Sequence, residues 1–267
     1  MRELSLRVPR VAVETVLDRL LPIVPGGVRE LDHGTTVELV MRGAELPARE
    51  EIARAAGLRL DDLEERQVSD DWRERRVRDH VSDLIAGRLV VRPEWAPPDD
   101  RASLEIIVGD SAAFGMGGHP TTRTCLELLL ELAPRGSFAD LGCGTGVLAV
   151  AAAKLGWSPI LAVDIQPASV QAAAANAARN QVVIDARLCD LTVDAPPRAT
   201  GIAANVPAHI HRVIATGLSA SVPELALLSG FSQGEAAEVV GAYEQRDLRE
   251  RRRLDRDGWT VAVLMRE

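Results

Sequence analysis

Long apolar runs are missing from this sequence of 267 residues, although 46% of the residues are apolar. A helix that crosses a membrane needs a run of about 18 or more such residues, so we expect no membrane span. The first residues also lack the basic, apolar and small-residue order of a secretory signal. These absences predict a cytoplasmic protein.

Cysteine and lysine are both scarce. The three cysteines are Cys125, Cys143 and Cys189, which form no C-x-x-C pair and no cluster with histidine. Their spacing disfavours a disulfide scaffold and predicts no metal site. Lys154 is the single lysine among 31 basic residues, which we attribute to genomic base composition. The net charge of −8 disfavours a general nucleic-acid surface and suits a basic partner.

Glycine is concentrated within residues 138–156, FADLGCGTGVLAVAAAKLG. We interpret this stretch as a buried strand, a glycine-rich turn and an alanine-rich helix. Gly142, Gly144 and Gly146 let the backbone turn sharply and let a ligand approach the amide groups at the helix start. A turn of this kind after a first strand is typical of the nucleotide crevice of a doubly wound α/β sheet.

Two features indicate which ligand the turn would bind. The dinucleotide fingerprint has its third glycine three residues after the second, whereas Gly146 follows Gly144 by two. Residues 160–167 predict a second strand that ends at Asp164, where a carboxylate accepts hydrogen bonds from ribose hydroxyls. The pattern resembles the class I S-adenosylmethionine-dependent methyltransferases. The alternative is a nicotinamide-binding domain with a variant loop.

The sequence divides into two predicted domains joined by a charged segment. Residues 1–68 have the order strand, helix, strand, strand, helix, strand of a small ferredoxin-like α+β domain, for which a folding unit or docking platform is the simplest interpretation. Residues 69–86 predict a solvated linker helix, in which His80 is a surface residue. Residues 87–267 predict the α/β methyltransferase domain, and the class resemblance implies an antiparallel last strand over 259–267.

A second informative stretch is FGMGGHPTTRTCLELLLEL, residues 114–132. Its three glycines predict an adaptable loop, and Thr121 or Thr122 is placed to cap the helix that follows. Amide groups left unpaired at that helix start suit a carboxylate, such as the methionyl carboxylate of the cofactor. The alternative for Thr122 is a plain helix cap.

The segment FGMGGHPTT is similar to the F-G-T-G-x-H-x-T-T motif of the PrmA-type methyltransferases, which modify large-subunit ribosomal protein eleven. DLGCGTGVLAVAAAKLG is similar to that family's D-x-G-C-G-S-G-I-L-A-I-A-A-x-K-L-G, and residues 87–95, 163–180 and 228–231 resemble further family segments in the same order. The resemblance implies N-methylation of lysine or α-amino groups of a basic ribosomal protein, with S-adenosyl-L-methionine as cofactor. It also implies that residues 1–68 recognise the substrate. With the net charge of −8, we expect no direct reading of nucleic acid.

The same resemblance implies cofactor contacts at Thr122, Gly142, Gly144, Asp164 and Asn205. Asn205 ends a predicted fourth strand, and we expect it to orient the incoming amine as well; the alternative is that it caps the next helix. His119 could receive a proton, or it could bond to backbone. The chain departs from the family pattern at Met116 and at 207–209, so a different protein, a small amine, or cofactor binding without turnover are alternatives. The oligomeric state stays open.

Overall fold

The computed structural model describes residues 2–24, 27–43, 46–67, 84–109, 119–218 and 222–267. The chain forms two compact units, Met1–His80 and Val81–Glu267. The predictions for His80, for Met116 and for most of the linker helix lie outside the described residues. No helix in the described ranges is long and apolar enough to cross a membrane.

The described residues of the first unit form a four-stranded antiparallel sheet with two α-helices, in the predicted element order. Its elements are β1 (Arg2–Pro9), α1 (Val13–Leu20), β2 (Arg29–Asp32), β3 (Thr36–Gly43), α2 (Arg49–Ala56) and β4 (Leu63–Gln67). The strand order is β2-β3-β1-β4, and the element order is that of the ferredoxin-like fold. Alternation along β1 and β3 buries Leu4, Leu6, Leu39 and Met41 in one core with Leu20 of α1 and Ile52 of α2.

The second unit is built around a seven-stranded sheet. Its elements are β5 (Leu89–Pro93), β6 (Leu104–Val108), α3 (Pro120–Leu129), β7 (Phe138–Leu141), α4 (Val147–Lys154), β8 (Ile160–Asp164), α5 (Pro167–Arg179), β9 (Asp185–Leu188), β10 (Gly201–Asn205), α6 (Ala208–Gly217), β11 (Leu225–Ser232), α7 (Ala236–Glu244), β12 (Leu248–Arg256) and β13 (Trp259–Arg266).

The large sheet has the strand order β12-β13-β11-β10-β7-β8-β9. The strands from β7 to β11 pair in parallel, whereas β13 runs antiparallel to β11 and β12. This confirms the doubly wound α/β sheet and its antiparallel last strand. The direction of strand order reverses between β7 and β10, and ligands of open α/β sheets bind at such a reversal.

Both faces of the central strands are buried. Phe138, Ala203 and Leu227 belong to one core cluster, and the other cluster contains Leu141, Ala204 and Leu228. Parallel strands that are covered by helices on both faces require such continuous apolar runs, which is why their positions were predictable.

Some predicted bounds are wrong. Residues 84–86 at the end of the predicted linker are not helical, because Ile85 forms a bridge with Leu89 and Ala86 has a φ of 48°. The last strand of the first domain, which the sequence predicts directly after the second helix, begins only at Leu63, after a turn of 3₁₀ helix. No prediction covered β9, since three of its four side chains are exposed and the apolar pattern of a buried strand is missing.

Candidate functional site

The parallel strands bring the predicted site residues to one edge of the large sheet. The adjacent strands β10, β7 and β8 end at Asn205, Leu141 and Asp164. Gly142 and Gly144 follow β7 directly. These four polar or glycine positions therefore meet at the carboxyl ends of the strands, where the strand order reverses.

Residues 142–146, here called the glycine loop, connect β7 to α4. All three glycines have a positive φ, between 52° and 76°, which side chains other than glycine rarely adopt. A Cβ on Gly142 would overlap Val206 Cγ1, and one on Gly146 would lie 2.9 Å from Ala173 Cα. The loop therefore depends on glycine for its conformation and for its close packing against neighbouring segments.

Asp164, a residue that is 8% exposed, holds the glycine loop through its carboxylate. Oδ2 accepts the backbone N–H of Gly144 at 2.9 Å, and Oδ1 accepts that of Gln166 at 2.9 Å. An ionised carboxylate offers about four acceptor positions, so each oxygen retains capacity for a further donor. The side chain can hold the loop and accept ligand hydroxyls at the same time.

Apolar side chains lie exposed beside Asp164. Ile165 is 56% exposed, and Leu188, whose Cα is the register partner of Asp164 across β8 and β9, is 62% exposed. Ligand sites commonly combine such apolar surface with a few polar anchors. Neither residue was predicted as part of the site, although an apolar residue directly after the strand-ending acid was an available signal.

Asp140 in β7 is a buried carboxyl group. Its Oδ2 accepts the backbone N–H of Ala149 at 3.0 Å and so pairs an amide that the first turn of α4 would leave unpaired. Burial, with the charge of Asp164 acting in the same direction, raises the pKa of the Asp140 carboxyl to about 7. Asp140 therefore fixes the start of α4 from the strand that precedes the glycine loop.

Asn205 meets the first turn of α3 across the sheet edge. Its Nδ2 donates to Thr121 Oγ1 at 3.2 Å and to Thr122 Oγ1 at 3.5 Å. Thr121 Oγ1 lies in turn 2.7 Å from His119 Nδ1. We call Asn205, Thr121, Thr122 and His119 the amide–hydroxyl cluster; it joins the two predicted catalytic residues through a threonine.

His119, and neither threonine, is the N-cap of α3. Its Nδ1 accepts the backbone N–H of Thr121 at 3.3 Å, and Pro120 occupies the first turn. The prediction that Thr121 or Thr122 caps the helix is therefore wrong, because both are buried within that turn. Burial lowers the pKa of the His119 imidazole, so the ring is neutral at pH 7. The ring packs edge-on against Trp259, with centroids 5.5 Å apart.

The turn after Asn205 is shaped by β11. Val206 N donates to Ser229 O at 3.0 Å, and a Cβ on Gly230 would lie only 2.6 Å from Val206 N. Gly230 has a φ of 90°. The N-cap of α6 is Pro207, with no side-chain cap, so the alternative that Asn205 caps this helix is wrong.

Two buried asparagines that were not predicted tie the glycine loop to β6. Asn176 Nδ2 donates to Thr145 O at 2.9 Å, and its Oδ1 accepts the N–H of Gly109 at 2.9 Å. Asn180 pairs with both backbone groups of Ile107. Their signal in the sequence was a pair of polar residues four apart on an alanine-rich helix.

The described residues contain no group of three or more histidine, cysteine, aspartate or glutamate side chains that could hold a metal ion. The three cysteines are unpaired thiols. The groups that the described residues bring to this edge are backbone amides, carboxylates, hydroxyls, the side-chain amide of Asn205 and the imidazole of His119.

Residues 47–267 match the family described as Ribosomal protein L11 methyltransferase (PrmA). The chain is 38% identical over 165 residues to the ribosomal protein L11 methyltransferase of Dechloromonas aromatica, covering 60% of this chain and 55% of the relative. It is 35% identical over 195 residues to that of Symbiobacterium thermophilum, covering 68% and 61%. The match thus spans little more than half the length of these relatives.

A solved structure of a ribosomal protein L11 methylase from Lactobacillus delbrueckii subsp. bulgaricus resembles this chain with a TM-score of 0.62 and 26% identity. The likeness covers 70% of this chain and 100% of that one. The family match includes both the glycine loop and the amide–hydroxyl cluster. The chain belongs to the family of ribosomal protein L11 methyltransferases.

Proposed function

We propose that this protein transfers methyl groups from S-adenosyl-L-methionine to amino groups of ribosomal protein L11, at a lysine side chain, at the N-terminal amine, or at both. The observation that carries the proposal is the meeting of the glycine loop and Asn205 at one edge of the sheet. When bound, the cofactor supplies an electrophilic methyl group. The residues of the chain bind, orient and shield the reactants.

The glycine loop and its neighbours fit this cofactor. Gly142 and Gly144 allow close approach of a ligand to the backbone, and the carboxylate of Asp164 retains acceptor positions for ribose hydroxyls. Ile165 and Leu188 offer apolar surface for a purine ring. Amides in the first turn of α3, at Thr122, suit the methionyl carboxylate.

The acceptor amine must be neutral before it attacks. At pH 7 the neutral form costs roughly 4.6 kcal/mol for a lysine of pKa near 10.4, and about 1.4 kcal/mol for an α-amine near 8. Burial beside a cationic sulfonium lowers either pKa, so a dedicated strong base is not required. Because Nδ2 of Asn205 is bonded to threonine hydroxyls, its Oδ1 is left to accept an N–H of the amine and aim the lone pair.

Substrate and location are further parts of the proposal. Family membership supports ribosomal protein L11 as the substrate, and the net charge of −8 suits a basic protein. We assign docking of that protein to the first unit, since the residues proposed for the reaction all belong to the second. Three unpaired cysteines fit a reducing compartment such as the cytoplasm.

The decisive experiment offers the full-length protein tritiated S-adenosylmethionine with purified ribosomal protein L11, and separately with an unrelated basic protein. We expect label in L11 alone, and mass spectrometry of its peptides locates the acceptor.

Asp164→Ala should weaken cofactor binding by about 1.5–3 kcal/mol, the value of hydrogen bonds to a charged group. Asp100→Ala is the control, since it removes an exposed carboxylate that makes none of the contacts described for the glycine loop. Tight binding of NAD in place of S-adenosylmethionine would contradict the proposal.

A further inference from the structure

We propose that Thr121 is a positioning residue whose hydroxyl fixes the orientation of the Asn205 amide and thereby selects an acceptor that can donate a hydrogen bond. The inference rests on the proposed function, because it gives a reason why this crevice would take an amine. It depends on the two described contacts of the Thr121 hydroxyl, on the backbone contact of Thr121 with His119, and on the chemistry of each partner.

The direction of the hydrogen bonds in the cluster follows from His119. The backbone N–H of Thr121 points at Nδ1 of this ring at 3.3 Å, and we assign the ring proton to Nε2 on this geometry. The hydroxyl of Thr121, 2.7 Å from the same nitrogen, must therefore donate to it. A hydroxyl has one proton to donate, and here His119 receives it.

The hydroxyl of Thr121 can then face Asn205 only as an acceptor. The amide nitrogen of Asn205 satisfies this requirement at 3.2 Å, whereas the amide oxygen in the same place would meet a lone pair. Thr122 Oγ1 accepts from the same nitrogen at the longer distance of 3.5 Å. The polarity of the cluster therefore holds Nδ2 against α3 and leaves Oδ1 as the group available to a substrate.

An outward oxygen has a consequence for specificity. A neutral amine keeps N–H protons after deprotonation, so it can donate one to Oδ1 while its lone pair attacks. A flipped amide would present N–H groups instead, which compete for that lone pair. Small misplacements of reacting groups can cost about a hundredfold in rate, so the hydroxyl affects turnover without touching substrate.

The test compares Thr121→Val, which removes the hydroxyl at similar size, with Thr121→Ser, which keeps it. In full-length protein with L11 and S-adenosylmethionine, we expect Thr121→Val to lower kcat by about 10- to 100-fold. The Kd for S-adenosylhomocysteine should stay within about threefold, and Thr121→Ser should restore turnover. Equal losses in both variants would overturn the proposal, because the methyl group and packing would then be responsible.

A second readout does not depend on methyl transfer. Nuclear magnetic resonance can follow hydrogen exchange of the Asn205 side-chain amide in the full-length protein, with melting curves as the check on folding. We expect exchange to quicken about tenfold in Thr121→Val, the equivalent of one hydrogen bond, and to stay slow in Thr121→Ser. Unchanged exchange in Thr121→Val would overturn the positioning role. If exchange quickens while the wild-type protein methylates nothing, the proposed function fails and the orientation of the amide stands.

Discussion

The site at the carboxyl edge of the large sheet, here called the crevice, has two halves that are held together in different ways. The proposed cofactor half is the glycine loop with its neighbours Asp164 and Asp140, and the proposed acceptor half is the amide–hydroxyl cluster with the turn after Asn205. In the proposed cofactor half, the backbone N–H groups of Gly142 and Cys143 both donate to Val163 O, at 2.8 and 2.9 Å, and Asp164 binds the N–H of Gly144. In the proposed acceptor half, the contacts that orient Asn205 join side chains. In the cofactor half every one of these hydrogen bonds involves a backbone group of the glycine loop, whereas the acceptor half depends on hydroxyl and amide side chains that bond one another.

This difference shows which half can change without loss of the fold. The glycine loop keeps its bonds between backbone groups when a single side chain is replaced, whereas the side-chain cluster loses part of its hydrogen bonding whenever one hydroxyl is removed. The departures that the sequence resemblance implies at Pro207, Ala208 and His209 would fall in the acceptor half. They lie at the start of α6, where Pro207 and His209 are exposed, and they leave Asn205 in place.

The largest expected effect is a change in the pH dependence of stability, and it concerns Asp140 in the cofactor half. Its pKa of about 7 lies above the ordinary value of 3.8, so the folded state binds this proton more tightly than the unfolded state. The corresponding stability is complete below about pH 4 and is lost as the pH rises through about 7. Asp140→Asn should remove this dependence, because the amide oxygen can still accept from Ala149. Relative to wild type, its unfolding free energy should rise by on the order of 4 kcal/mol from pH 4 to pH 8.

Urea unfolding at a series of pH values measures this difference. The exposed Asp100 provides the control, since Asp100→Asn removes one negative charge without touching the crevice. If the unfolding free energies of wild type and Asp140→Asn change with pH in parallel, the pKa of Asp140 is not raised by folding and the prediction is contradicted.

The next largest expected change is a loss of unfolding free energy in Gly230→Ala, a substitution that disturbs the backbone of the acceptor half. The new Cβ would lie 2.6 Å from Val206 N, and the φ of 90° is unfavourable for alanine. We expect a loss of about 3 kcal/mol in unfolding free energy, together with slower methyl transfer because the turn after Asn205 must move. Gly241→Ala in α7 is the control, since a Cβ there meets no described atom within 4 Å. That variant should gain about 0.5–1 kcal/mol, and losses of equal size in both variants would contradict the close packing against Val206.

The cofactor half was the more predictable one, because its determinants are adjacent in sequence. A buried strand, three glycines and an alanine-rich helix specify the loop, and the next strand ends in Asp164. The position of Asn205 at a strand end was predictable for the same reason. Its bond to Thr121 joins residues 84 apart in the sequence, and no local pattern indicates such a contact.

The helix cap shows where a propensity rule was outweighed. Threonine is a preferred N-cap, which favoured Thr121 or Thr122 over His119. Proline, however, prefers the first position of a helix, and Pro120 places the cap at His119. The proline was the stronger signal, because its ring fixes φ at the first helical position. Threonine was not required at the cap, because an imidazole nitrogen can replace a hydroxyl as the acceptor of the backbone N–H.

Asn205→Ala tests whether the acceptor half affects turnover without affecting cofactor binding or stability. We expect turnover to fall about 100-fold, whereas the Kd for S-adenosylhomocysteine and the melting temperature change little, since Asn205 caps no helix. Single-turnover rates with L11, calorimetry and thermal melts provide the three measurements. Asn205→Gln carries the same amide one methylene further out and should also be slow. Near-normal turnover in Asn205→Ala would remove this residue from the reaction.

The smallest expected effect lies in the cofactor half, at Ile165. Because 56% of this residue is exposed, its truncation should leave the unfolding free energy almost unchanged. If the purine ring covers it on binding, Ile165→Ala loses part of the buried apolar area, worth roughly 1 kcal/mol or a fivefold weaker Kd. At saturating cofactor, kcat should equal that of wild type, the reverse of the pattern expected for Asn205→Ala.

Val183→Ala is the matched control, because Val183 is 92% exposed and precedes β9 rather than following a strand of the crevice. Calorimetry with S-adenosylhomocysteine that finds the same Kd for Ile165→Ala and wild type would place the ring elsewhere. A reduced kcat with unchanged Kd would instead show that the two halves of the crevice are not separable at this residue.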